Sequence, residues 1–247
     1  MLSRTELLAC FALFGLGVVL WVSGADAALT QWLNTHQSPA LVEFWHIFGG
    51  LGLGRFQLFL CLGVAWWLVR KNATWYTPIT LFLGAFWLWL RVLVLNPTPV
   101  TTSRHILEKS AIYVQNLPHA ARAWVMVLPI MFGAGALGLL LKMLIGRARP
   151  KMMLWHNMAE YWTWGPAFSA KFWSFPSGHT VSTFALVAVI CTAFPRYRVL
   201  AWGVGLALAL ARTLAVTPHY LGDVCAGIAI GYGVGIYLAR RYALAKV

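Results

Sequence analysis

The sequence predicts an all-α fold, a polytopic membrane helix bundle with six or seven transmembrane segments. Of the 247 residues, 60% are hydrophobic and only 10% are charged, and the mean hydropathy is +0.72. Soluble domains carry about 25% charged residues, so this composition argues against a soluble protein. The apolar residues also come in runs near the roughly 20 residues that a helix needs to cross a bilayer.

Seven apolar segments follow one another along the chain, with Trp and Tyr near many of their ends, as is typical of interfacial aromatic belts. They cover residues 7–22, 41–69, 76–95, 124–145, 180–194, 200–216 and 220–239. The first segment could instead be a signal peptide with a cleavage site of small residues at positions 25–27. We favour an uncleaved membrane helix, because Arg4 is the only cation ahead of it.

The second segment holds glycines at positions 49, 50, 52 and 54, which we expect to serve close helix packing rather than phosphate binding. Polar connections at residues 96–122, 151–175 and 195–198 separate later segments. The first includes a short amphipathic stretch at 105–114. The second is expected along the outer membrane interface, because it carries Trp155, Trp162, Trp164 and Trp173. The four cysteines lie inside apolar segments without disulfide or metal-ligand spacing and are predicted to pack as small apolar residues.

A first candidate motif, KMLIGRARP at residues 142–150, lies where the fourth segment leaves the membrane. Lys142 and Arg149 are seven residues apart, about two helical turns, so both can share one face if the helix continues through Gly146. Pro150 would then end the helix. The basic cluster could instead hold the helix end at the lipid headgroups, and we assign that role to Arg147.

The second motif, FPSGHT at residues 175–180, is predicted to open the next helix. Backbone N–H groups at a helix start have no partner within the helix and can bind an anion. Ser177 adds a hydroxyl donor, Gly178 allows close approach of the backbone, and His179 can carry a proton. The motif therefore predicts an anion site at the start of this helix.

The third motif, ARTLAVTPHYLGD at residues 211–223, combines a helix end with a helix start. Thr217 suits an N-cap and Pro218 the first helical position. His219 would then lie in the first turn, with Asp223 at i+4 on the same face. A carboxylate bonded to one ring nitrogen fixes the tautomer and leaves the other nitrogen free to attack. An ionisable pair inside an apolar segment is costly, which favours a functional role over simple packing.

The net charge is +13, from nineteen Lys and Arg against six Asp and Glu. In a soluble protein this excess would suggest nucleic acid. Here the cations lie at segment ends and within motifs, so we predict a bilayer, an anionic substrate and no nucleic-acid partner. The positive-inside rule places the basic residues at 70–71, 195–198 and 240–241 in the cytoplasm and all three motifs on the opposite side.

This topology contains a conflict of parity. If residues 70–71 are cytoplasmic and the segment at 76–95 spans the membrane, the segment at 124–145 would end in the cytoplasm, away from the other two motifs. Either the segment at 76–95, which contains Arg91, is re-entrant or interfacial, or the N-terminal half has a different orientation.

Together, the three motifs resemble the type 2 phosphatidic acid phosphatase (PAP2) superfamily of integral-membrane lipid phosphatases. The pattern of that family is Lys-six residues-Arg-Pro, then Pro-Ser-Gly-His, then Ser-Arg-five residues-His-three residues-Asp. The first two motifs match in full. The third departs twice, because Ala211 replaces the Ser and six residues separate Arg212 from His219. The extra residue would rotate Arg212 by about 100° on a helix, and a break at Pro218 could absorb it.

The resemblance implies a role for each motif residue. His219 would be the nucleophile that forms a phosphohistidine, Asp223 would orient and polarise it, and His179 would be the general acid. The phosphoryl oxygens would be held by Lys142, Arg149, Ser177, the Gly178 backbone and Arg212. Three cations can neutralise a phosphoryl group as metal ions do elsewhere. The sequence holds no Asp or Glu cluster for a metal, so neither a metal nor another cofactor is expected.

The resemblance and the predicted topology together imply a bacterial inner-membrane lipid phosphatase with a periplasmic site. Its substrate would be undecaprenyl diphosphate, phosphatidylglycerophosphate, phosphatidate or a lipid A phosphate. We divide the chain into N-terminal membrane helices with their loops, residues 1–121, and a PAP2-like catalytic helical core, residues 122–247.

Two other functions stay open at this point. One is a lipid phosphotransferase that uses the same phosphohistidine intermediate, and the other is a non-catalytic binder or transporter of anionic lipids. The soluble vanadium haloperoxidases share these motifs, but the seven apolar segments argue against that class.

Overall fold

The structure is a computed structural model that describes residues 2–70, 77–90, 106–156 and 168–242. These ranges form eleven α-helices and contain no β-strand, so the predicted all-α fold is confirmed for them. Of the four interfacial tryptophans, Trp162 and Trp164 lie outside the described residues, as does Arg91. The helices are α1 (Arg4–Val22), α2 (Ala25–His36), α3 (Pro39–Gly50), α4 (Gly54–Val69), α5 (Thr77–Leu90), α6 (Ile106–Gln115), α7 (His119–Ile145), α8 (Pro150–His156), α9 (Gly178–Ala193), α10 (Arg198–Leu214) and α11 (Leu221–Arg241).

Four described helical stretches are long and apolar enough to cross a membrane, namely α1, α7, α11 and Pro195–Leu214, which contains α10. A fifth is possible if α3 and α4, which meet at a 44° bend, count as one span. The predicted segment at 41–69 is therefore two helices, broken at residues 51–53. Helices α5 and α9 are apolar but shorter. The total of six or seven spans stays a prediction.

Small residues hold α9 and α11 together at the centre of the bundle. Gly227, Gly231 and Gly235 recur every four residues on α11 and face α9. A Cβ atom at Gly235 would lie 2.6 Å from the Cβ of Ala188, and one at Gly231 would collide with the backbone carbonyl of Val181. Such a stripe lets two helix backbones approach closely inside a membrane. It also fixes the starts of α9 and α11 side by side.

Helix α1 packs antiparallel to α11. Near the start of α11, the backbones of Gly17 and Gly222 are close enough that a Cβ atom on either would lie about 2.5 Å from the carbonyl oxygen of the other. At the far end, Arg240 Nη2 lies 2.7 Å from Glu6 Oε1. The C-terminal end of α1 and the following helix α2 therefore lie beside the first turn of α11.

Helices α5 and α6 lie between α4 and α7 in the chain, in the region of the conflict of parity. They pack against each other where Gly84 meets the backbone of Ser110. Leu68, at the end of α4, lines the same groove as Ala120, at the start of α7. The chain therefore enters α7 at the end of the bundle where it left α4, so that α7 ends at the opposite end of the bundle from the C-terminal end of α4. The amphipathic stretch predicted at 105–114 is confirmed as α6.

The two ends of the bundle differ in motif content. The C-terminal ends of α7 and α10 and the N-terminal ends of α9 and α11 carry the three motifs at one end. The opposite end holds Phe194, which stacks on Trp124, and the neighbouring turn with Arg196. Arg70 and Arg240 also lie at this opposite end, at the C-terminal ends of α4 and α11. All three motifs therefore share one end of the bundle.

Helix propensity alone predicts that replacing a glycine of α11 with alanine stabilises the protein, but the close packing of the glycine stripe predicts the opposite. Gly231→Ala should lower the thermal unfolding midpoint in detergent by several degrees, because overpacking against Val181 costs on the order of 1–3 kcal/mol. Gly203→Ala, on α10, is the matched control, since a Cβ atom there meets nothing within 4 Å. The control should keep or raise the midpoint, because Ala favours a helix by about 0.5–1 kcal/mol over Gly. Similar midpoints for both variants would contradict the close packing of α9 on α11.

Candidate active site

The first motif reaches the site from a helix end and a loop, not from one helix. Helix α7 ends at Ile145, and Gly146 caps it with a left-handed φ of 66°. The expectation that the helix continues through Gly146 and ends at Pro150 was wrong. A glycine at this position terminates a helix, and Pro150 instead begins α8, where its fixed φ is favourable. Arg149 lies on the extended link between them, where its N–H donates to the Lys171 carbonyl at 3.0 Å.

Lys142, in the last turn of α7, lies next to the second motif. Its Nζ atom donates to the carbonyl oxygens of Trp173, at 2.9 Å, and of Pro176. A Cβ atom at Gly178 would lie only 4.0 Å from this Nζ. The absence of a side chain at Gly178 therefore leaves room between the ammonium group and the start of α9.

The second motif opens α9, as predicted. Ser177 is the N-cap and Gly178 the first helical residue. The backbone N–H of Ser177 donates to the Asp223 carbonyl at 2.9 Å, which ties the starts of α9 and α11 together. Thr180 Oγ1 donates to Ser177 Oγ at 3.1 Å, so the proton of the Ser177 hydroxyl is available for a second acceptor.

The helix start predicted in the third motif was wrong. Helix α11 begins at Leu221 with Tyr220 as its N-cap, three residues after the expected cap at Thr217. The reason is Asp223, whose Oδ2 accepts the N–H of Tyr220 at 2.9 Å and so caps the helix from its third position. His219 lies in the loop before α11, and its side chain is 2% exposed. Arg212 lies in the last turn of α10, and the loop at residues 215–220 takes up the extra residue.

The two histidines border one space, with ring centroids 6.5 Å apart. The Nδ1 atom of His219 lies 2.9 Å from the carbonyl oxygen of Ser174. A carbonyl can only accept, so Nδ1 carries the proton and Nε2 keeps its lone pair. The sequence predicts a hydrogen bond between Asp223 and His219. In the structure, Oδ2 of Asp223 lies 3.6 Å from Nδ1 of His219, which is too long for a hydrogen bond. A backbone carbonyl thus fixes the tautomer, and no residue type in the sequence signals it.

Asp223 is completely buried and is held by three other groups. Its Oδ2 accepts from Ser174 Oγ at 2.5 Å as well as from the Tyr220 N–H, and its Oδ1 lies 2.8 Å from Arg147 Nη1. Ser174 therefore binds His219 through its carbonyl and Asp223 through its hydroxyl. The carboxylate and the imidazole are positioned by the same residue.

Arg147 was wrongly assigned to the lipid headgroups, since it is 1% exposed and lies beside Asp223. Its Nη1 atom also lies 3.1 Å from Oδ2 of Asp26, at the start of α2. The guanidinium is stacked between the rings of Trp21 and Tyr220, 4.6 Å and 4.0 Å from their centroids. Two carboxylates and two aromatic faces compensate the loss of water around the cation. In the sequence, the one signal that could have identified Asp26 as a site residue is the position of its carboxylate next to an apolar segment.

Burial and positive charge determine the protonation of the loop groups. Complete burial, with a further contribution from Lys142 and Arg149, lowers the pKa of His219 well below its usual range. Burial also lowers the pKa of Arg149. His219 is therefore a neutral imidazole at physiological pH, with a lone pair on Nε2. The charges of Arg212, Arg149, Lys142 and Arg55 also act on His179. This set of cations suits an anion with several oxygens.

The glycine patch between α3 and α4 packs against these same residues. A Cβ atom at Gly49 would lie 3.3 Å from Arg212 Nη1, and one at Gly52 would lie 4.0 Å from the Cβ of His179. His46, one turn before Gly49, has its Nε2 atom 3.0 Å from Oγ1 of Thr217 in the loop that carries His219. Gly49 and Gly52 therefore serve close packing, as expected, and their neighbours include the candidate site residues Arg212 and His179.

Comparison with known proteins gives the family of this chain. A model of the PAP2 superfamily matches residues 122–245, half of the chain, including all three motifs. The chain belongs to the PAP2 superfamily. Among solved structures, it is similar to the crystal structure of the first transmembrane PAP2 type phosphatidylglycerolphosphate phosphatase from Bacillus subtilis. That match has a TM-score of 0.54 and 17% identity and covers 95% of this chain and 94% of the other. The apolar helices and this relative identify a multi-pass membrane protein.

Two curated relatives are more similar in sequence over a shorter stretch. A lipid A 1-phosphatase from Rhizobium etli is 39% identical over 112 residues, which cover 44% of this chain and 46% of the relative. A lipid A 1-phosphatase from Rhizobium johnstonii is also 39% identical over 112 residues, with 44% of each chain covered. The match therefore spans less than half the length of these relatives.

The buried ion cluster of Asp26, Arg147 and Asp223 predicts a large loss of stability on removal of one charge. Asp26→Asn should lower the free energy of unfolding by about 3–5 kcal/mol, the usual cost of breaking a buried ion pair. Glu6→Gln is the control, because it breaks the partly exposed pair between Glu6 of α1 and Arg240 of α11, at about 1 kcal/mol or less. Thermal and chemical unfolding in detergent would measure both. Equal losses of unfolding free energy in the two variants would contradict the larger contribution of the buried cluster to stability.

Proposed function

We propose that this protein is a PAP2-type lipid phosphatase that removes a phosphoryl group from a membrane lipid through a phosphohistidine on His219. The observation that carries the proposal is a buried neutral imidazole whose Nδ1 is bonded to the Ser174 carbonyl, so that Nε2 can attack. A second histidine from the second motif and three cations from the first and third motifs surround the same space. The names of the relatives, lipid A 1-phosphatase and phosphatidylglycerolphosphate phosphatase, support a lipid phosphate as substrate.

In the first step, the substrate phosphoryl group binds among Lys142, Arg149 and Arg212, with Ser177 and the Gly178 N–H as further donors. The Nε2 lone pair of His219 forms the bond to phosphorus while the bond to the leaving oxygen breaks. The negative charge of the bound phosphate offsets the cations around His179, so that His179 takes up a proton and gives it to that oxygen. His219 becomes a cationic imidazole, and the Asp223 carboxylate at 3.6 Å stabilises this charge.

In the second step, a water molecule attacks the phosphohistidine. His179, now neutral, takes a proton from the water, the bond between phosphorus and Nε2 breaks, and phosphate leaves. The three cations neutralise the equatorial oxygens in both steps, which is the main requirement for phosphoryl transfer. A second lipid in place of water would make the protein a phosphotransferase, and analysis of the products with a labelled donor distinguishes the two reactions.

The first candidate substrate is a phosphate of lipid A, because the two relatives with the higher sequence identity are both named lipid A 1-phosphatase. Phosphatidylglycerophosphate, phosphatidate and undecaprenyl diphosphate belong in the same assay panel. We place the protein in the inner membrane with its site at the periplasmic face. This orientation is supported by the basic residues at 70, 196 and 240, all at the bundle end opposite the motifs.

Loss of the nucleophile is the direct test of this proposal. The purified protein should release phosphate from at least one lipid of the panel in detergent. His219→Ala should reduce that release by more than about 10⁴-fold, beyond the range typical of a lost acid–base group. His119→Ala, at the opposite end of α7, is the control and should keep turnover close to that of the wild type. A His219→Ala protein with turnover within about tenfold of wild type would exclude the phosphohistidine route.

Phosphate neutralisation by side chains predicts how the reaction responds to chelators and analogues. Turnover should persist in excess EDTA, because Lys142, Arg149 and Arg212 supply the positive charge that metal ions supply elsewhere. Orthovanadate should inhibit, since it adopts the trigonal-bipyramidal geometry of the transferring phosphoryl group and can bind Nε2 of His219. Arg149→Gln should weaken vanadate inhibition. A strict requirement for Mg²⁺ would contradict this account of the site.

A further inference from the structure

Two neighbouring cavities lie at the end of the bundle opposite the candidate active site. The groove that contains Leu68 and Ala120 has a volume of about 340 Å³. A cavity of about 450 Å³ shares Ala120, Phe194 and Arg196 with it. From His179 to its end, directly before Phe194, helix α9 spans about 21 Å. A molecule bound in these cavities is therefore remote from the candidate active site.

The two cavities lie at the level of the helix ends. Helix α4 ends, α7 begins, α9 ends and α10 begins close to their lining residues. Trp124 and Tyr197 also line the groove. These two residue types are typical of the interface where a bilayer meets water. The cavities therefore lie at the level of the lipid headgroups of that leaflet.

A third cavity adjoins the groove on the side of the hydrocarbon region. It has a volume of about 230 Å³, lies along α9 and α10 and shares Ile190 with the groove. Its two polar lining residues among those described are Gln57 and Thr183, and Gln57 Nε2 donates to Thr183 Oγ1 at 2.9 Å. From Thr183 to Ala193, α9 spans about 15 Å. Since α10 belongs to a stretch that can cross a membrane, the third cavity extends the other two into the bilayer.

The cavities at the headgroup level carry positive charge. Arg196 lines both of them and is exposed, with its Cζ atom 4.6 Å from the ring centroid of Tyr197. Within the described ranges, no carboxylate pairs with Arg196. Arg198, at the start of α10, and Arg70, at the end of α4, are exposed at the same end of the bundle. Guanidinium groups bind phosphate through paired, charge-assisted hydrogen bonds, so this end suits an anionic lipid headgroup.

We propose that the three cavities hold one anionic phospholipid of the leaflet opposite the candidate active site, with its phosphate on Arg196 and a hydrocarbon chain along α9. This lipid is a resident ligand and not the substrate, because the length of α9 separates its phosphate from His179. The inference does not depend on the proposed phosphatase activity. Basic pockets between membrane helices are typical sites for anionic headgroups.

The charge of the headgroup should decide which lipid binds. The surrounding bilayer is as apolar as the third cavity, so transfer of a hydrocarbon chain into that cavity gains little from the hydrophobic effect. A zwitterionic phospholipid offers the same chains but no net charge to Arg196. The site should therefore select anionic over zwitterionic phospholipids.

Native mass spectrometry of the full chain in detergent tests this assignment, with dioleoyl phosphatidylglycerol and dioleoyl phosphatidylcholine at equal concentrations. The wild type should bind phosphatidylglycerol about fivefold more tightly or better, the contribution of one basic residue to binding of anionic lipid. Arg196→Gln should remove this preference. Arg241→Gln is the matched control and should keep it, because Arg241 is an exposed cation at the same end of the bundle and lines none of the three cavities.

Further variants separate this site from the candidate active site and from lipid bound elsewhere. Arg149→Gln removes a cation of the candidate active site and should leave the preference unchanged. Leu68→Trp places a larger side chain in the groove and should weaken phosphatidylglycerol binding. Leu60→Trp is its control, since Leu60 is also exposed on α4 and lines none of the three cavities. Thermal unfolding verifies that each variant folds, and Leu68→Phe replaces Leu68→Trp if the larger residue prevents folding.

Three results would overturn the assignment. The first is equal affinity of the wild type for the two lipids. The second is loss of the preference in Arg241→Gln or Arg149→Gln to the same extent as in Arg196→Gln. The third is unchanged phosphatidylglycerol binding in the Leu68 variant. Absence of phosphate release by the wild type would contradict the proposed phosphatase activity and leave this lipid site as it is.

Discussion

Arg147 carries a positive charge into a region from which water is almost completely excluded, and the site is organised around that charge. An unpaired guanidinium there would be strongly destabilising, so its partners have to be in place. Asp26 comes from the start of α2 and Asp223 from the first turn of α11, each within about 3 Å of the same nitrogen. The cluster thus locks the loop after α7 and two helix starts into one arrangement.

The geometry of the nucleophile follows from this cluster. Arg147 binds Oδ1 of Asp223, so Oδ2 is available to accept hydrogen bonds from the Ser174 hydroxyl and from the N–H of Tyr220, the N-cap of α11. Ser174 in turn holds the Nδ1 atom of His219, so the orientation of the imidazole depends on groups two contacts away from it. Beside this rigid set, Gly49, Gly52 and Gly178 leave space around Arg212, His179 and Lys142. The structure therefore combines a firmly held nucleophile with an open position for an anion.

The sequence was sufficient to predict the helical class, most helix positions and the convergence of the three motifs. These features depend on local patterns, namely runs of apolar residues and short spacings of polar ones. It was insufficient for the pairing of Arg147 with Asp26, since 121 residues separate them and the local neighbourhood of Arg147 is typical of a headgroup anchor. The start of α11 was misplaced because the Asp223 carboxylate, not Thr217, caps the helix. The contact of His219 with Ser174 uses a carbonyl that every residue possesses.

The pairing of α1 with α11 has a consequence for biosynthesis. Among the described helices, the first, α1, has its main helical partner in the last, α11, and their contacts run from the Glu6–Arg240 pair to Gly17 against Gly222. A ribosome makes α1 before the other described helices and α11 after them, so α1 stays in the bilayer without this partner until α11 has emerged. Asp26 likewise has neither of its final partners when it leaves the ribosome, because Arg147 and the Gly222 N–H are made much later. The site is therefore completed only after the start of α11 has been made, and a nascent chain that lacks α11 does not contain the complete site.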